Sequence, residues 1–513
     1  MKKIIVLIVL LFMMSYAQIG RVTTAGWTTV DWQFNGPVYT RCRVDPVANG
    51  VHICWIGQNS PMYNYYDFVT RTWNWQGGMN PAPTISSLGG MDYDPLTGCA
   101  VILLNTTVGG NVTPCLARDL APGAGLFEYI SGPAGYRGGP IGVNNNQAIC
   151  CLLVRNDSLW SSTNWSTPVL ITPENFGGYN IAASKISNKV VVLWMCPEDS
   201  IQGRAFYRLS DNSGTTWQPA VQLPFPPSQG FVPTYHISSL FAMFDNQDNL
   251  HIVASVAETS RTIPCEIWHY CPTNPQPWTL AHHYDAETLN ASVGYNAIFA
   301  TRPSIVQNPT TGYFYVSWEQ FDSLNYEPLT CLARADIWLA ELTNNGQTVS
   351  RKGRITDPNT KSKRFPIVGG VFNDTIIVNY LIDSIAGFSN LGQGPITNNP
   401  VVCQFRGRYD AIEEMDIAKN TFNIIFETNP NPFTTHTAIR YSLPTTNNVS
   451  LQIFDATGQL VKTLSNIRHQ TSGIYSVIWD GRNNIGNKVK NGVYFCNLKV
   501  DNKTITRKIV MTN

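Results

Sequence analysis

The chain reads as an all-β protein in two parts, a seven-bladed (alternatively six-bladed) β-propeller followed by a small β-sandwich. Three observations predict this. A turn followed by an apolar strand recurs from Asp45 to Tyr380. The last eighty or so residues are short alternating strands at even spacing, with no helical period. The composition, 13% charged and 11% aromatic, is poor in charge and rich in rings, as in exported β proteins rather than cytosolic α/β enzymes.

The repeat decides the architecture of the long first part. Its copies are Asp45–Gly50 before Val51–Trp55, Asp94–Gly98 before Cys99–Leu104, Asn144–Asn146 before Ala148–Val154, and Ser187-Asn188 before Lys189–Trp194. Three more follow: Asp245–Asn249 before Leu250–Ser255, Asn308–Gly312 before Tyr313–Trp318, and Asn373-Asp374 before Thr375–Tyr380. Asx and Gly form the turns and the apolar runs form the strands. A spacing of about 40 to 65 residues suits one four-stranded blade per copy. Closing the blades into a ring removes exposed sheet edges, and the expected extent is residues 26–415.

Each copy is followed by a second strand pair that often ends on Trp, as in Asp67–Trp73, Ser158–Trp165, Ala205–Trp217 and Ile267–Trp278. In the third of these, Ser210-x-Asn212-x-Gly214-x-Thr216-Trp217 resembles the Asp-box of sialidase-like propellers, with Asn212 where that family has Asp. An Asx side chain caps the amides of a tight hairpin, Gly takes a positive φ, and Trp wedges into the neighbouring sheet. The box marks a fold and carries no catalytic role. A largely buried Trp217 is expected.

The tail is read from its own strands. Ile439–Leu443 and Val449–Phe454 alternate apolar and polar residues; Gly473–Trp479, Gly492–Val500 and Thr504–Val510 follow, separated by Asp and Gly turns. The segment Asn429-Pro430-Asn431-Pro432-Phe433, the run Leu451-x-Ile453-Phe454-Asp455-x-x-Gly458-x-x-Val461, Trp479-Asp480-Gly481, Gly492-Val493-Tyr494 and Arg507-Lys508-Ile509-Val510 together resemble the type IX secretion C-terminal sorting domain. They equally resemble the related Ig-like domain of flagellar hook-capping proteins. The resemblance covers residues 424–513 and implies an Ig-like sandwich that docks on export machinery. Paired Asn-Pro steps place the joint between domains at Asn429–Phe433.

The other end agrees with export. Met1-Lys2-Lys3, the apolar run Ile4–Met14 and Ser15-Tyr16-Ala17 make residues 1–17 a signal peptide cleaved before Gln18. No further apolar segment is long enough to span a bilayer. From Asn429 onward the chain holds 10 Lys and Arg against 3 Asp and Glu, leaving 25 against 31 upstream. A mildly acidic first part without basic runs excludes nucleic acid as a ligand.

Motifs for catalysis are absent. No Walker loop, dinucleotide fingerprint or nucleophile elbow occurs, so no cofactor is expected. A sialidase-like active site implies three arginines with Tyr, Glu and Asp around the propeller axis. Arg41, Arg43, Arg302, Arg334 and Arg364 lie on or beside strands and Tyr235 and Tyr295 in loops, but the first-blade Arg-Ile-Pro signature is missing. Solvated or cross-strand-paired arginines are the simpler reading. The 12 cysteines fall mostly in apolar strands and read as buried thiols; Cys265 and Cys271 bridge only if the chain turns between them. His282-His283 reads as an exposed loop pair, and no metal site follows.

The expectation is therefore an exported, non-catalytic propeller that binds a glycan, protein or surface polymer and is delivered to the cell surface by its sorting domain. The alternative is a secreted sialidase-like glycoside hydrolase.

Overall fold

The computed structural model describes residues 21–33, 41–58, 60–84, 86–173, 176–196, 204–227, 235–258, 262–286, 289–295, 297–407, 426–443, 447–470, 473–500 and 503–512. The expected signal peptide lies outside them. The chain divides into two compact units, Met1–Glu414 and Met415–Asn513.

Among the described residues the first unit holds seven four-stranded antiparallel sheets. Their first strands, from Cys42–Asp45, Ser86–Tyr93, Arg137–Val143, Gly178–Ala183, Tyr235–Phe244 and Ala300–Gln307 to Ser362–Phe372, touch one another in cyclic order, which makes the unit a propeller. The ring is closed by chain termini: Arg21–Thr28 pairs antiparallel with Asn399–Gly407, so the last sheet takes one strand from the beginning of the unit. The propeller thus starts ahead of Gly26, inside whose strand the sequence boundary fell.

The seven apolar runs read from the sequence are the second strands of these sheets. Each is sandwiched between adjoining sheets, so both of its faces are buried, as in Val190–Met195, and alternation disappears. The outermost strands keep solvent on one side, as in Phe127–Ser131. The preceding turns are held by their Asx or Ser side chain: Asp45 Oδ1 accepts from Val47 N at 2.8 Å, Asn144 Oδ1 from Asn146 N at 3.0 Å, and Asp245 Oδ1 from Asn249 N at 2.7 Å.

The third-to-fourth-strand turns use tryptophan to fasten one sheet to the preceding one. The indole N–H of Trp73 donates to Thr23 Oγ1 at 3.1 Å, that of Trp165 to Ile130 O at 3.0 Å, and that of Trp217 to Ser161 Oγ at 2.9 Å. In the best-formed turn Asn212 Oδ1 accepts from Thr216 N at 2.9 Å, Asn212 Nδ2 donates to Thr216 Oγ1 at 2.8 Å, and Ser210 Oγ accepts from Gly214 N at 2.9 Å. Gly214 has φ 79°, and a Cβ there would lie 2.7 Å from Cys150 Sγ, so both conformation and space require glycine. Trp217 is half-buried rather than largely buried: it packs against the core of the neighbouring sheet from a turn in which Asp211, Asn212, Thr215 and Thr216 are exposed.

The second unit is a sandwich of a three-stranded sheet, Phe426–Asn429, Thr437–Leu443 and Gly473–Trp479, and a four-stranded one. The latter runs in the order Leu460–Gln470, Asn447–Asp455, Gly492–Val500, Lys503–Met511. Trp479 fills its core between the rings of Phe433 (5.3 Å) and Tyr494 (5.2 Å) and donates to Arg482 O at 3.0 Å. Gly481 turns with φ 69°, and Asp480 Oδ1 accepts from Arg482 N at 3.1 Å. Tyr494 OH donates to Lys490 O, and Arg507 Nε to Phe426 O at 3.0 Å, while Lys508 is exposed opposite Phe495.

Asn429–Phe433 is not a joint. Thr437 Oγ1 donates to Pro430 O at 2.7 Å, and Asn431 exchanges bonds with Lys508 O at 2.7 Å and Val510 N at 2.8 Å. Phe433, which follows Pro432, is buried, and the division between units falls earlier, between Glu414 and Met415. Asn-Pro here breaks strand pairing without leaving the domain.

Candidate binding face

The first strands of the sixth and seventh sheets each begin with an Arg near a Pro, Thr301-Arg302-Pro303 and Arg364-Phe365-Pro366. Proline offers no ladder donor, and both pairings slip there, between Thr301 and Ser304 and between Arg364 and Ile367. Both arginines turn onto one carboxylate, that of Glu319 in the second strand Phe314–Tyr326 of the sixth sheet. Arg302 Nη1 donates to Glu319 Oε1, Arg364 Nε to Oε2 at 3.2 Å, and Phe365 N to Oε2 at 2.8 Å. The Arg364 guanidinium is enclosed by the rings of Phe321, Phe365 and Phe388 at 4.8, 5.0 and 5.1 Å. Arg41 joins them, donating to Gln33 Oε1 at 3.0 Å and Phe365 O at 3.3 Å.

These groups are sealed. Arg302 and Arg364 are 1% exposed and Glu319 0%. Burial pushes the Glu319 carboxyl up, but Arg364 and Arg302 outweigh it and hold it below its ordinary range. Burial lowers Arg41 to about 9. Three of the sequence candidates thus come together, but Arg302 and Arg364 are taken by a carboxylate of the protein itself and Arg41 by Gln33 and the Phe365 carbonyl. Removing either partner would strand a buried charge, so the cluster is a structural commitment rather than a ligand clamp.

Above it lies the face that carries the connections between sheets. Phe388 stacks on Trp32 at 5.1 Å, and Trp32 meets Tyr295 at 6.2 Å with the rings inclined by 57°. A cleft of about 530 Å³, lined by Leu329, Thr330, Leu332 and Gly392–Pro395, adjoins them. Gly294 bridges the two: a Cβ there would touch Gln393, Leu332 and Phe388 at 3.7 to 4.0 Å. The loops are pinned from below. Thr330 Oγ1 donates to Ala386 O and Ser389 N to Asp31 Oδ2, each at 2.7 Å. Exposed on the rim are Tyr295 (56%), Leu329 (65%) and Ile396 (72%). Behind the loop, burial pushes the Asp383 carboxyl up to about 7.

The other sequence candidates lie elsewhere. Arg43 faces Asp92 at 3.3 Å, together with Lys185 at 2.7 Å. Arg334 pairs with Glu327 at 2.8 Å, and Tyr235 begins its strand. His282-His283 is not a loop pair: both lie in the strand Trp278–Tyr284, His282 buried between Trp318 and Trp338 and His283 on Glu266 at 2.8 Å. Cys265 and Cys271 lie at opposite ends of the strand Cys265–Tyr270, so the chain does not turn between them and they do not bridge. All 12 cysteines are free; Cys331, expected in a strand, is exposed in a loop. Among the described residues no group of three or more His, Cys, Asp or Glu is arranged for a metal, and no helix is long and apolar enough to cross a membrane. Sequence reasoning missed Trp32, Phe388 and Glu319; the usable signal was two runs without a single charge, Leu289–Phe299, which is part of the connection that opens with Asp285 and Glu287, and Ser384–Asn398, a whole loop.

The FlgD Ig-like domain family matches residues 433–503. No curated protein matches the chain. Among solved structures, a polysaccharide lyase (ulvan lyase) bound to GlcA(1-4)Rha3S is similar at 10% identity with a TM-score of 0.43, over 74% of this chain and 96% of that one. An alpha-L-arabinanase of Penicillium chrysogenum complexed with arabinobiose is similar at 11% identity and TM-score 0.36, over 75% and 98%. PorZ, a surface component of the type IX secretion system of Porphyromonas gingivalis, is similar at 10% identity and TM-score 0.21, over 92% and 87%. The chain therefore carries a C-terminal Ig-like domain of the FlgD type behind an all-β propeller.

Proposed function

We propose that this is an exported, non-catalytic binding protein whose propeller holds a glycan at the Trp32–Tyr295 face and whose C-terminal domain is the export signal. The observation that carries the binding reading is the pairing of Arg302 and Arg364 on Glu319 beneath that face. The strongest ionisable cluster of the region is consumed by internal ion pairs, and aromatic and amide groups are left at the surface. The export reading rests on the hydrophobic leader at residues 1–17 and on the motifs from Asn429 to Lys508. The C-terminal unit has its own core around Trp479 and Leu451, which suits a separable signal.

One observation favours a second reading, a secreted glycoside hydrolase: Asp383 is held near neutrality, as a general acid would be. It is 1% exposed, which supports the first reading instead. The test is twofold. Affinity electrophoresis of the full chain against soluble polysaccharides, with reducing-end assays on the same samples, should give retention without release of sugar; release abolished by Asp383→Asn would establish the hydrolase. Fractionation of cells expressing the full chain and a chain ending at Glu414 should find only the former at the surface, and equal export of both would remove the sorting role.

A further inference from the structure

The connections that build the binding face share a property that bears on ligand chemistry. Leu289–Phe299 and Ser384–Asn398 contain no Asp, Glu, Lys or Arg. Thr29–Gln33 and Ser323–Leu332 contain one acid each, Asp31 and Glu327, which are 5% and 7% exposed. Asp31 is occupied by Ser389 N, and Glu327 by Arg334. The cations below, Arg302 and Arg364, share the one carboxylate of Glu319 and are each 1% exposed, so neither guanidinium reaches the surface. Among the described residues of these four segments, none presents a charge to solvent. The first connection opens with two acids, Asp285, which is exposed, and Glu287, and both repel anions.

What is presented instead is apolar surface with neutral hydrogen-bonding groups. Leu324, Tyr326, Leu329, Tyr295, Leu391 and Ile396 are all at least 42% exposed on these connections. Asn290, Ser292 and Asn390 are exposed among them, and Gln393 lines the cleft. Exposed apolar side chains beside a cleft suit a binding surface. The inclined Trp32–Tyr295 pair beside a cleft makes it concave rather than flat, which fits a chain of sugar rings better than a protein surface. Sugar C–H faces pack on aromatic rings, and hydroxyls exchange bonds with amides and hydroxyls. A carboxylate or sulfate would lose its hydration in this cleft, whose lining includes no cation; the exposed Asp357 and Lys361 lie on the neighbouring connection that meets Asn325.

We infer that the ligand of this face is a neutral polysaccharide, one without uronate, sulfate or phosphate groups. This rests on the glycan reading above and narrows it. The experiment uses the full chain in affinity electrophoresis and calorimetry against neutral polymers (a β-glucan, a xylan and a mannan) and polyanions (polygalacturonate and alginate), at low and high salt. The expected result is retention by at least one neutral polymer, changed less than about twofold by salt. Tyr295→Ala, a change at an exposed ring that the fold does not need, should weaken it at least about tenfold, with an unaltered melting curve.

Retention by polyanions alone, with steep salt dependence, overturns the neutral ligand and leaves the glycan reading standing. Neutral binding that Tyr295→Ala and Trp32→Ala both leave unchanged overturns the location. Retention by neither class removes both readings and leaves the face to a protein partner.

Discussion

Two copies of the propeller repeat place a histidine in the same setting and arrive at different charges. In the first sheet, Asp45 caps the turn and His52 follows on the second strand. His52 Nε2 lies 3.0 Å from Gly98 O and 3.4 Å from Asp45 Oδ2, and Nδ1 lies 2.8 Å from the Tyr63 hydroxyl. A hydroxyl can donate as well as accept, so one ring proton satisfies every contact. In the fifth sheet Asp245 caps and His251 follows, with Nε2 3.1 Å from Asp245 Oδ2 and Nδ1 2.8 Å from His269 Nε2. His269 Nδ1 faces Gly346 O at 3.1 Å and must donate to it, so its Nε2 can only accept. His251 must therefore donate from both nitrogens.

This arrangement calls for a buried imidazolium. Burial lowers its pKa, but Asp245 and Cys271 outweigh burial and raise it. Burial and the neighbouring His251 charge push His269 down to about 3. Asp245 is held down at about 2, since His251 and Asn249 outweigh the upward push of burial. The copies differ in the residue on the third strand, Tyr63 or His269, and in Cys271 beside His251: a hydroxyl partner can donate or accept, whereas one committed to a carbonyl asks His251 for a second proton.

The largest expected effect separates the copies directly. Asp245→Ala leaves a buried imidazolium unpaired and should cost about 3–5 kcal/mol, against about 1–3 kcal/mol for the lost turn bonds in Asp45→Ala. Equal losses in chemical denaturation would erase the proposed charge difference.

A pH series sharpens it. Because His251 is raised above its ordinary 6.5, its contribution is full below that value and is lost as pH rises through the raised one. The stability gap between the native chain and His251→Gln should therefore narrow as pH rises above 6.5. His269 acts in the opposite direction: held at about 3, it contributes above 6.5 and that contribution is lost as pH falls towards 3.

Both sites close on a glycine carbonyl from the next sheet, Gly98 at φ 72° and Gly346 at φ 77°. A Cβ at Gly98 would lie 2.5 Å from Asp45 Oδ2, and one at Gly346 would overlap the His269 ring. Gly98→Ala and Gly346→Ala should each lower stability by more than about 1 kcal/mol, and similar melting shifts would mark this as the part the copies share. The smallest effect lies outside both. Asn212→Asp keeps the acceptor for Thr216 N and can accept from the Thr216 hydroxyl, so a change within about 0.5 kcal/mol is expected by thermal melting.

Much of this fold was legible because turns are local. Asp45, Asp94, Asn144, Asp245 and Asn308 bond to amides two to four residues on, so residue type and spacing carry the information. The joint was misplaced because Asn-Pro reports only the loss of strand pairing, which the second unit uses inside its own core. The binding face was less legible. Glu319 sits in a strand buried on both faces, where alternation cannot mark it, and its partners come from Arg302, 17 residues away, and Arg364, 45 away. Tyr295 was noticed; Trp32 and Phe388 meet it only through ring closure.

That closure ties the fate of the whole propeller to the order of synthesis. Arg21–Thr28 emerges early but has no edge to join until Asn399–Gly407 exists. The chain must hold its first strand in waiting through six complete sheets, and only a full-length ring can dispense with open edges. A truncated or stalled product is thereby marked by an exposed strand at each end of the gap, a built-in distinction between a finished and an unfinished chain.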